Sequence, residues 1–118
     1  MFRKTVAALI VIAPCLVTPV FASLYAVIAY SPTTGRYGYT YNYGYLGDAE
    51  VDAIARCDAP DAVVVAWSRN EWCALAVSDD GSYGYSSGWS QAEAEANALS
   101  YCTGSNAHIL AIVYSGSD

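Results

Sequence analysis

The feature that most constrains the fold is an internal duplication, because the same order of segments occurs twice along the chain. In each copy an apolar segment precedes a turn, a Tyr-Gly-Tyr element, a helical segment that ends in cysteine, and a second apolar segment. The first copy spans about residues 24–68 and the second about residues 72–115. Either copy alone has too little apolar surface to fold, so we expect the two to share one core.

Each copy predicts two β-strands, a helix and a third β-strand. In the first copy residues 24–30 and 63–67 are apolar enough for buried strands, and residues 32–35 combine proline with glycine as a turn does. The matching turn of the second copy lies at residues 79–81. The predicted class is therefore α+β: two ββαβ repeats related by a pseudo-twofold axis, with mainly antiparallel sheet and two short helices.

The two helices are predicted from residues that suit helix ends. Asp48 can accept a backbone hydrogen bond as an N-cap, and the first helix then ends at Cys57. Ser90 and Glu93 have the spacing of a capping box, in which each side chain bonds to the backbone near the other. The second helix is expected to begin there and to end at Cys102.

Residues 1–22 have the features of a secretory signal peptide. Two basic residues precede an apolar stretch over residues 6–20, and small residues precede the expected cleavage site after Ala22. Prolines interrupt the stretch, which argues against a retained membrane anchor. We expect a cleaved leader, one duplicated domain over residues 23–118, a secreted or periplasmic location, and no membrane association after cleavage.

The charge of residues 23–118 excludes several classes of partner. This part of the chain has three arginines, no lysine and all eleven acids, so its formal charge is 3 minus 11, or -8. Nucleic acids and anionic lipid surfaces would be repelled.

The cysteines predict disulfide bonding. Cys57, Cys73 and Cys102 follow the leader, and an oxidising compartment favours paired cysteines. Their odd number leaves one thiol free or joins two chains in a homodimer. No two cysteines are closely spaced and His108 is the single histidine, so we expect no metal site and no cofactor.

A run of alternating tyrosines is the candidate binding surface. A strand has a period of two, so five rings would lie on one face of the sheet: Tyr37, Tyr39, Tyr41, Tyr43 and Tyr45. Such a row can stack on sugar faces or on an extended peptide. Core packing is the favoured interpretation, since tyrosines at this period suit a half-buried strand. A dimer surface is a third interpretation.

Four segments of the chain resemble a known family, the small secreted bacterial proteins called domain of unknown function 4189. The segments are AVIAYSP at 26–32, GRYGYTYNY at 35–43, WSRN at 67–70 before CALAV at 73–77, and AEAE at 92–95 before Cys102. The resemblance implies a small exported module without an assigned activity. It also implies a second cysteine after each helix-end cysteine, but residues 58–62 and 103–107 contain none. Cys57 with Cys102 then becomes a candidate pair.

No catalytic set is evident in the sequence, so we expect no enzymatic activity. The leading hypothesis is a non-enzymatic binding or interaction module that recognises a protein or glycan of the envelope through exposed tyrosines and sheet edges. One alternative is an envelope-acting enzyme or thiol protein, which requires His108 to lie near Cys73 or a carboxylate. Another alternative is a structural or stress-related envelope protein without a specific ligand.

Overall fold

Two three-stranded antiparallel sheets form, one from each copy of the duplication. The computed structural model describes residues 23–116, and the predicted leader and Cys15 lie outside them. The elements in chain order are β1 (Tyr25–Tyr30), β2 (Tyr37–Tyr43), α1 (Leu46–Cys57), β3 (Val63–Arg69), β4 (Trp72–Val77), β5 (Tyr83–Gly88), α2 (Gln91–Tyr101) and β6 (His108–Tyr114). Each copy is thus a ββαβ unit, which confirms the predicted α+β class.

The sheets are the middle layers of a four-layer arrangement. Sheet A has the strand order β2-β1-β3, and sheet B has the equivalent order β5-β4-β6. Each central strand is almost wholly buried, because one face of its sheet meets the other sheet and the opposite face carries the helix of its own unit. No helix within residues 23–116 is long and apolar enough to cross a bilayer.

The core between the sheets draws on both units. Ile28 and Tyr30 of β1 pack there with Leu75 of β4 and Val113 of β6. The alternate residues of β1, Val27 and Ala29, face α1 instead. This alternation is the period-two pattern of a strand, and the shared cluster is the single core that the duplication predicts.

The glycine of each Tyr-Gly-Tyr element lets a helix approach its sheet closely. A Cβ atom on Gly38 would lie 2.3 Å from the backbone nitrogen of Cys57, and one on Gly84 would lie 2.5 Å from the backbone oxygen of Ala98. No side chain fits in that space. The motif therefore combines a helix-contacting glycine with tyrosines that point to the other face of the strand.

The predicted start of the first helix is wrong, and that of the second is confirmed. α1 begins at Leu46 after Tyr45, so Asp48 lies inside its first turn, where a carboxylate still interacts favourably with the helix dipole. At α2 the Ser90 hydroxyl accepts a hydrogen bond from the Glu93 N–H at 3.1 Å. The Glu93 carboxylate accepts in turn from the Trp89 N–H at 2.7 Å, one residue before the cap.

The expected disulfides are absent among the described residues. Cys57, Cys73 and Cys102 are free, buried thiols in three separate clusters. Cys57 and Cys102 lie under α1 and α2 on the outer faces of the two sheets, and sheets packed face to face are about 10 Å apart. A disulfide needs Cα atoms closer than about 7 Å, so the candidate pair Cys57–Cys102 is wrong for this fold.

Both helix-end thiols have the same local role. The Cys57 thiol donates to the Arg36 carbonyl at 3.4 Å, and the Cys102 thiol donates to the Ser82 carbonyl at 3.7 Å. These carbonyls occupy equivalent places just before β2 and β5. Burial raises the pKa of the Cys57 thiol and raises that of Cys73 to about 11, because desolvation disfavours a thiolate.

Replacing either helix-contacting glycine by alanine is expected to destabilise the domain. Gly38→Ala and Gly84→Ala each force a methyl group against helix backbone, and we expect a loss of about 3 kcal/mol in the free energy of unfolding. Urea denaturation measures it. The control is Gly47→Ala, which meets open space in α1 and should be neutral or stabilising by up to about 1 kcal/mol. Equal effects at all three positions would contradict the packing account.

The three thiols of residues 23–118 are expected to resist alkylation in the native state. With a pKa of about 11, Cys73 is a thiolate in only about one molecule in a thousand at pH 8, and burial blocks all three from the reagent. Mass spectrometry after iodoacetamide should show no adduct on native protein and three adducts after denaturation without reductant. Fewer than three would reveal a disulfide that the structure lacks.

Candidate functional site

The alternating tyrosines do not share one face, because β2 contains a β-bulge. Tyr39 lies opposite Ile28, but Tyr43 lies opposite Tyr25, so one extra residue enters β2 beyond Thr40. Asn42 adopts a φ of 60°, a conformation that asparagine tolerates better than most residues. An extra residue exchanges the two faces of a strand, so the prediction of a single five-ring face is wrong.

The bulge separates the five tyrosines into two groups. Tyr37, Tyr39 and Tyr41 remain on the face opposite to α1, with neighbouring ring centroids 6.4 Å apart and nearly parallel planes. Tyr43 packs instead against the α1 cluster, where its hydroxyl donates to Asp52 at 2.7 Å. Tyr45 immediately precedes α1 and is exposed.

The favoured interpretation that these rings pack in the core is wrong for the three stacked tyrosines. Tyr39 is 43% exposed and Tyr41 is 53% exposed, because β2 is an edge strand that sheet B does not cover fully. The backbone beside them is occupied by Arg56, whose guanidinium donates to the Tyr39 carbonyl at 3.1 Å. The stacked tyrosines therefore form a shallow surface beside a charged side chain.

A larger concave site lies at the opposite edge of the sandwich, where edge strands β3 and β5 run close together. Its volume is about 1110 Å³. We call it the aromatic groove, defined by the rings that line it: Tyr25, Trp67, Tyr83, Tyr85, Trp89 and Tyr101. Ligand sites are typically concave, mostly apolar and lined by aromatic side chains, which makes this groove the leading candidate site.

The two units contribute different parts of the aromatic groove. Unit one supplies Trp67, which is 51% exposed and lies 6.3 Å from the ring of Tyr25. Unit two supplies Tyr85, Trp89 and Tyr101, of which Trp89 is 80% exposed. The site therefore requires both copies of the duplication.

Tyr83 and the inner face of β3 form the buried side of the groove. The Tyr83 ring packs edge-on against Tyr30 at 5.4 Å, and burial raises the pKa of the Tyr30 hydroxyl. Val65, Ala66 and Ser68 are buried beside it. This rigid base fixes the positions of the exposed rings.

The charges at the groove are few and mostly negative. Arg69 and Glu71 lie at the connection between the two units. The Glu93 carboxylate adds a negative charge beside Trp89, since it bonds to that residue's N–H. Apart from Arg69 and Glu71, the residues that line the groove offer aromatic and aliphatic side chains, serine hydroxyls and backbone groups.

The residues of the proposed thiol or acid–base chemistry lie far apart. Cys73 pairs with Val113 in sheet B, whereas His108 pairs with Val77. His108 lies five positions before Val113 in β6, which corresponds to about 16 Å of strand. His108 is exposed at the strand start, where its Nδ1 lies 3.0 Å from the Asn106 carbonyl.

The described residues offer no metal site. No group of three or more His, Cys, Asp or Glu side chains comes together within residues 23–116. In the same range His108 forms no ion pair with a carboxylate. Among the described residues, His108 therefore has neither Cys73 within reach nor a carboxylate paired with it.

Sequence reasoning missed the groove because its rings come from distant segments. Trp67, Tyr85 and Tyr101 lie on β3, β5 and α2, and Trp89 lies between β5 and α2. One signal was available: Trp67 occupies the place that Ile112 holds in unit two, as the matched registers of β3 and β6 show. An exposed tryptophan at a position where the duplicate has an aliphatic residue favours a role outside the core.

Comparisons with known proteins agree with this architecture. No curated protein matches the chain. The fold is similar to the NMR structure of Rv1813c from Mycobacterium tuberculosis, with a TM-score of 0.59 and 21% sequence identity, covering 94% of this chain and 99% of that chain. At this identity the likeness concerns the fold alone. The family model described as "Domain of unknown function (DUF4189)" matches residues 25–115, nearly all of the described chain, and the protein therefore belongs to the DUF4189 family.

Proposed function

We propose that this protein is a non-enzymatic binding module that acts after export and holds its ligand in the aromatic groove. The observation that carries the proposal is the group of exposed rings around that groove, above all Trp67 and Trp89. Exposed tryptophans are costly in water and are enriched where proteins bind other molecules.

The groove is favoured over the stacked tyrosines on geometry. The surface at Tyr37, Tyr39 and Tyr41 is shallower, with a volume of about 410 Å³ compared with about 1110 Å³ for the groove. Arg56 also occupies part of that surface by bonding to the strand backbone. A concave site buries more of a ligand than a shallow one, so more binding energy is available in the groove.

Two further considerations support a binding role over catalysis. Cys73 is buried with a raised pKa, which disfavours the nucleophilic thiolate. The separation of Cys73 from His108 deprives that thiol of a general base. The rings of the groove, by contrast, need no partner residue to bind a ligand through their faces.

Removing the exposed tryptophans is expected to abolish ligand capture without unfolding the domain. The test compares immobilised residues 23–118 with a Trp67→Ala/Trp89→Ala variant in envelope extract, using mass spectrometry for proteins and glycans. The enriched partner should fall at least about tenfold for the variant, since hot-spot aromatic residues contribute about 1.4 kcal/mol or more each. Both side chains are half or more exposed, so stability should change by only about 0.5 kcal/mol.

The matched control is Tyr37→Thr/Tyr39→Thr/Tyr41→Thr, which removes the stacked tyrosines from an edge strand and retains β-propensity. It should capture the same partner as the unmodified domain. Loss of capture with this variant alone would place binding on β2. Equal capture by all three proteins would contradict a role for either aromatic surface.

A further inference from the structure

We propose that the outer edge of β5, inside the aromatic groove, binds an extended protein segment rich in lysine or arginine as an added β-strand. This inference rests on the proposed function, because it names the ligand class of the same groove. The two units can be compared position by position, since duplication gives each structural position in one unit an equivalent in the other.

The backbone N–H and C=O of Tyr85 lie on the outer edge of β5, which lines the groove. Tyr39 lies opposite Ile28 in unit one, and Tyr85 lies opposite Leu75 in unit two, so the two tyrosines are equivalent. The Tyr39 carbonyl accepts a bond from Arg56 and therefore points away from β1. The N–H and C=O of one residue point to the same side in an antiparallel pair. By equivalence, Tyr85 directs both groups away from β4.

The matching edge of unit one is closed. Arg56 occupies the Tyr39 carbonyl, and the bulge disrupts the strand at Asn42. The chain after β6 then covers the bulge: the Ser115 hydroxyl accepts from the Asn42 N–H at 2.9 Å, and the Asn42 side chain accepts from the Gly116 N–H at 3.0 Å. These devices are typical of edge strands that are protected from pairing.

The edge of β5 has no arginine and no bulge, and the Ser86 hydroxyl bonds only to the Ser87 carbonyl at 3.2 Å, near the end of the strand. Its pairing with β4 is regular over six residues and has no bulge. The helix residue in the place of Arg56 is Tyr101: the Cβ built on Gly38 meets Arg56, and the one built on Gly84 meets Tyr101. Within residues 23–116 no side chain bonds to the Tyr85 backbone. An open, regular edge is a template for another strand.

The spacing of these groups favours a peptide over a glycan. Backbone N–H and C=O groups alternate along the edge with the repeat distance of a polypeptide strand. A second strand has the same spacing of donors and acceptors, whereas a chain of pyranose rings does not. An added strand would direct alternate side chains toward the two sides of β5. The rings of Tyr85 and Tyr101 lie there, together with the nearby Trp89.

Charge complementarity selects a cationic segment. Glu71 lines the groove with Arg69, the Glu93 carboxylate lies next to the groove because it bonds to the Trp89 N–H, and residues 23–118 carry a formal charge of -8. This field attracts a basic segment. Lysine and arginine side chains also interact favourably with the faces of tryptophan and tyrosine rings.

Fluorescence anisotropy with defined peptides tests the inference on residues 23–118. The probe is a labelled Lys-Val repeat of about eight residues, the length of an edge strand. A Glu-Val repeat tests the charge, and a Lys-Val repeat with alternate backbone nitrogens methylated tests the strand pairing. We expect the Lys-Val peptide to bind, with an affinity that falls as salt is added. The methylated peptide should bind at least about tenfold more weakly. The Glu-Val peptide should not bind.

One substitution tests whether an arginine on the helix can block the edge of β5, as Arg56 blocks the edge of β2. Tyr101→Arg places a guanidinium where Arg56 lies in the other unit, and it should reduce Lys-Val binding by more than Tyr101→Ala, which only removes a ring. Since the guanidinium also repels cations, binding of a neutral Thr-Val repeat is measured alongside and should fall as well. Tyr101 is exposed, so either variant should fold.

Three results would overturn the inference. Equal affinity for the methylated and unmodified peptides would exclude strand addition, and preference for the Glu-Val peptide would exclude the charge argument. Binding of a neutral β-linked oligosaccharide, with no peptide bound, would assign the groove to glycans. In that case the proposed function would still stand, provided that Trp67→Ala/Trp89→Ala loses capture. The proposed function fails only when those tryptophans are dispensable.

Discussion

The contact of each helix with the glycine of its return strand is the interaction on which the rest of the structure depends. Gly38 and Gly84 have no side chain to separate helix from strand, so α1 and α2 lie almost backbone to backbone on β2 and β5. Each helix then covers the central part of the outer face of its sheet. Only the inner faces remain to be buried, and they can be buried only against each other, which joins the two units through one apolar cluster.

This packing also explains where the aromatic residues lie. A strand alternates its side chains, so a glycine directed at the helix places its tyrosine neighbours on the inner face. Where the opposite sheet reaches over an edge strand such a ring is half-buried, as Tyr83 is against Tyr30. On an edge strand, beyond the cover of the opposite sheet, the ring stays exposed, as Tyr39 and Tyr85 are. The Tyr-Gly-Tyr element thus serves the fold through glycine and presents a surface through tyrosine.

The sequence was sufficient to predict the elements that depend on local pattern and repetition. The ββαβ order, the shared core and the Ser90 cap follow from periodicity, segment order and capping chemistry. The bulge at Asn42 was not predictable in this way, because it depends on contacts with Ser115 and Gly116 from the far end of the chain. The groove depends on the packing of one unit against the other, which no local pattern encodes.

The disulfides expected from the cysteine count do not form among residues 23–116, because the fold buries the cysteines in separate places. Three thiols after a predicted export leader favour pairing, yet each helix-end thiol is buried beneath its own helix and bonds to the carbonyl that precedes the return strand. A small apolar thiol fits the narrow space beside Gly38 or Gly84. The two helix-end cysteines therefore contribute to packing and not to cross-linking.

Duplication lets the two edges of the sandwich diverge while the core stays the same. In unit one the residue before the helix-end cysteine is Arg56, and the edge is closed. In unit two it is Tyr101, and the edge is open and aromatic. Both residues are exposed, so the exchange alters the surface without disturbing the helix contact below. A closed edge limits self-association through β2, and the open edge retains the backbone groups needed to bind another chain. The difference between the two edges therefore depends on which residue precedes the helix-end cysteine in each unit.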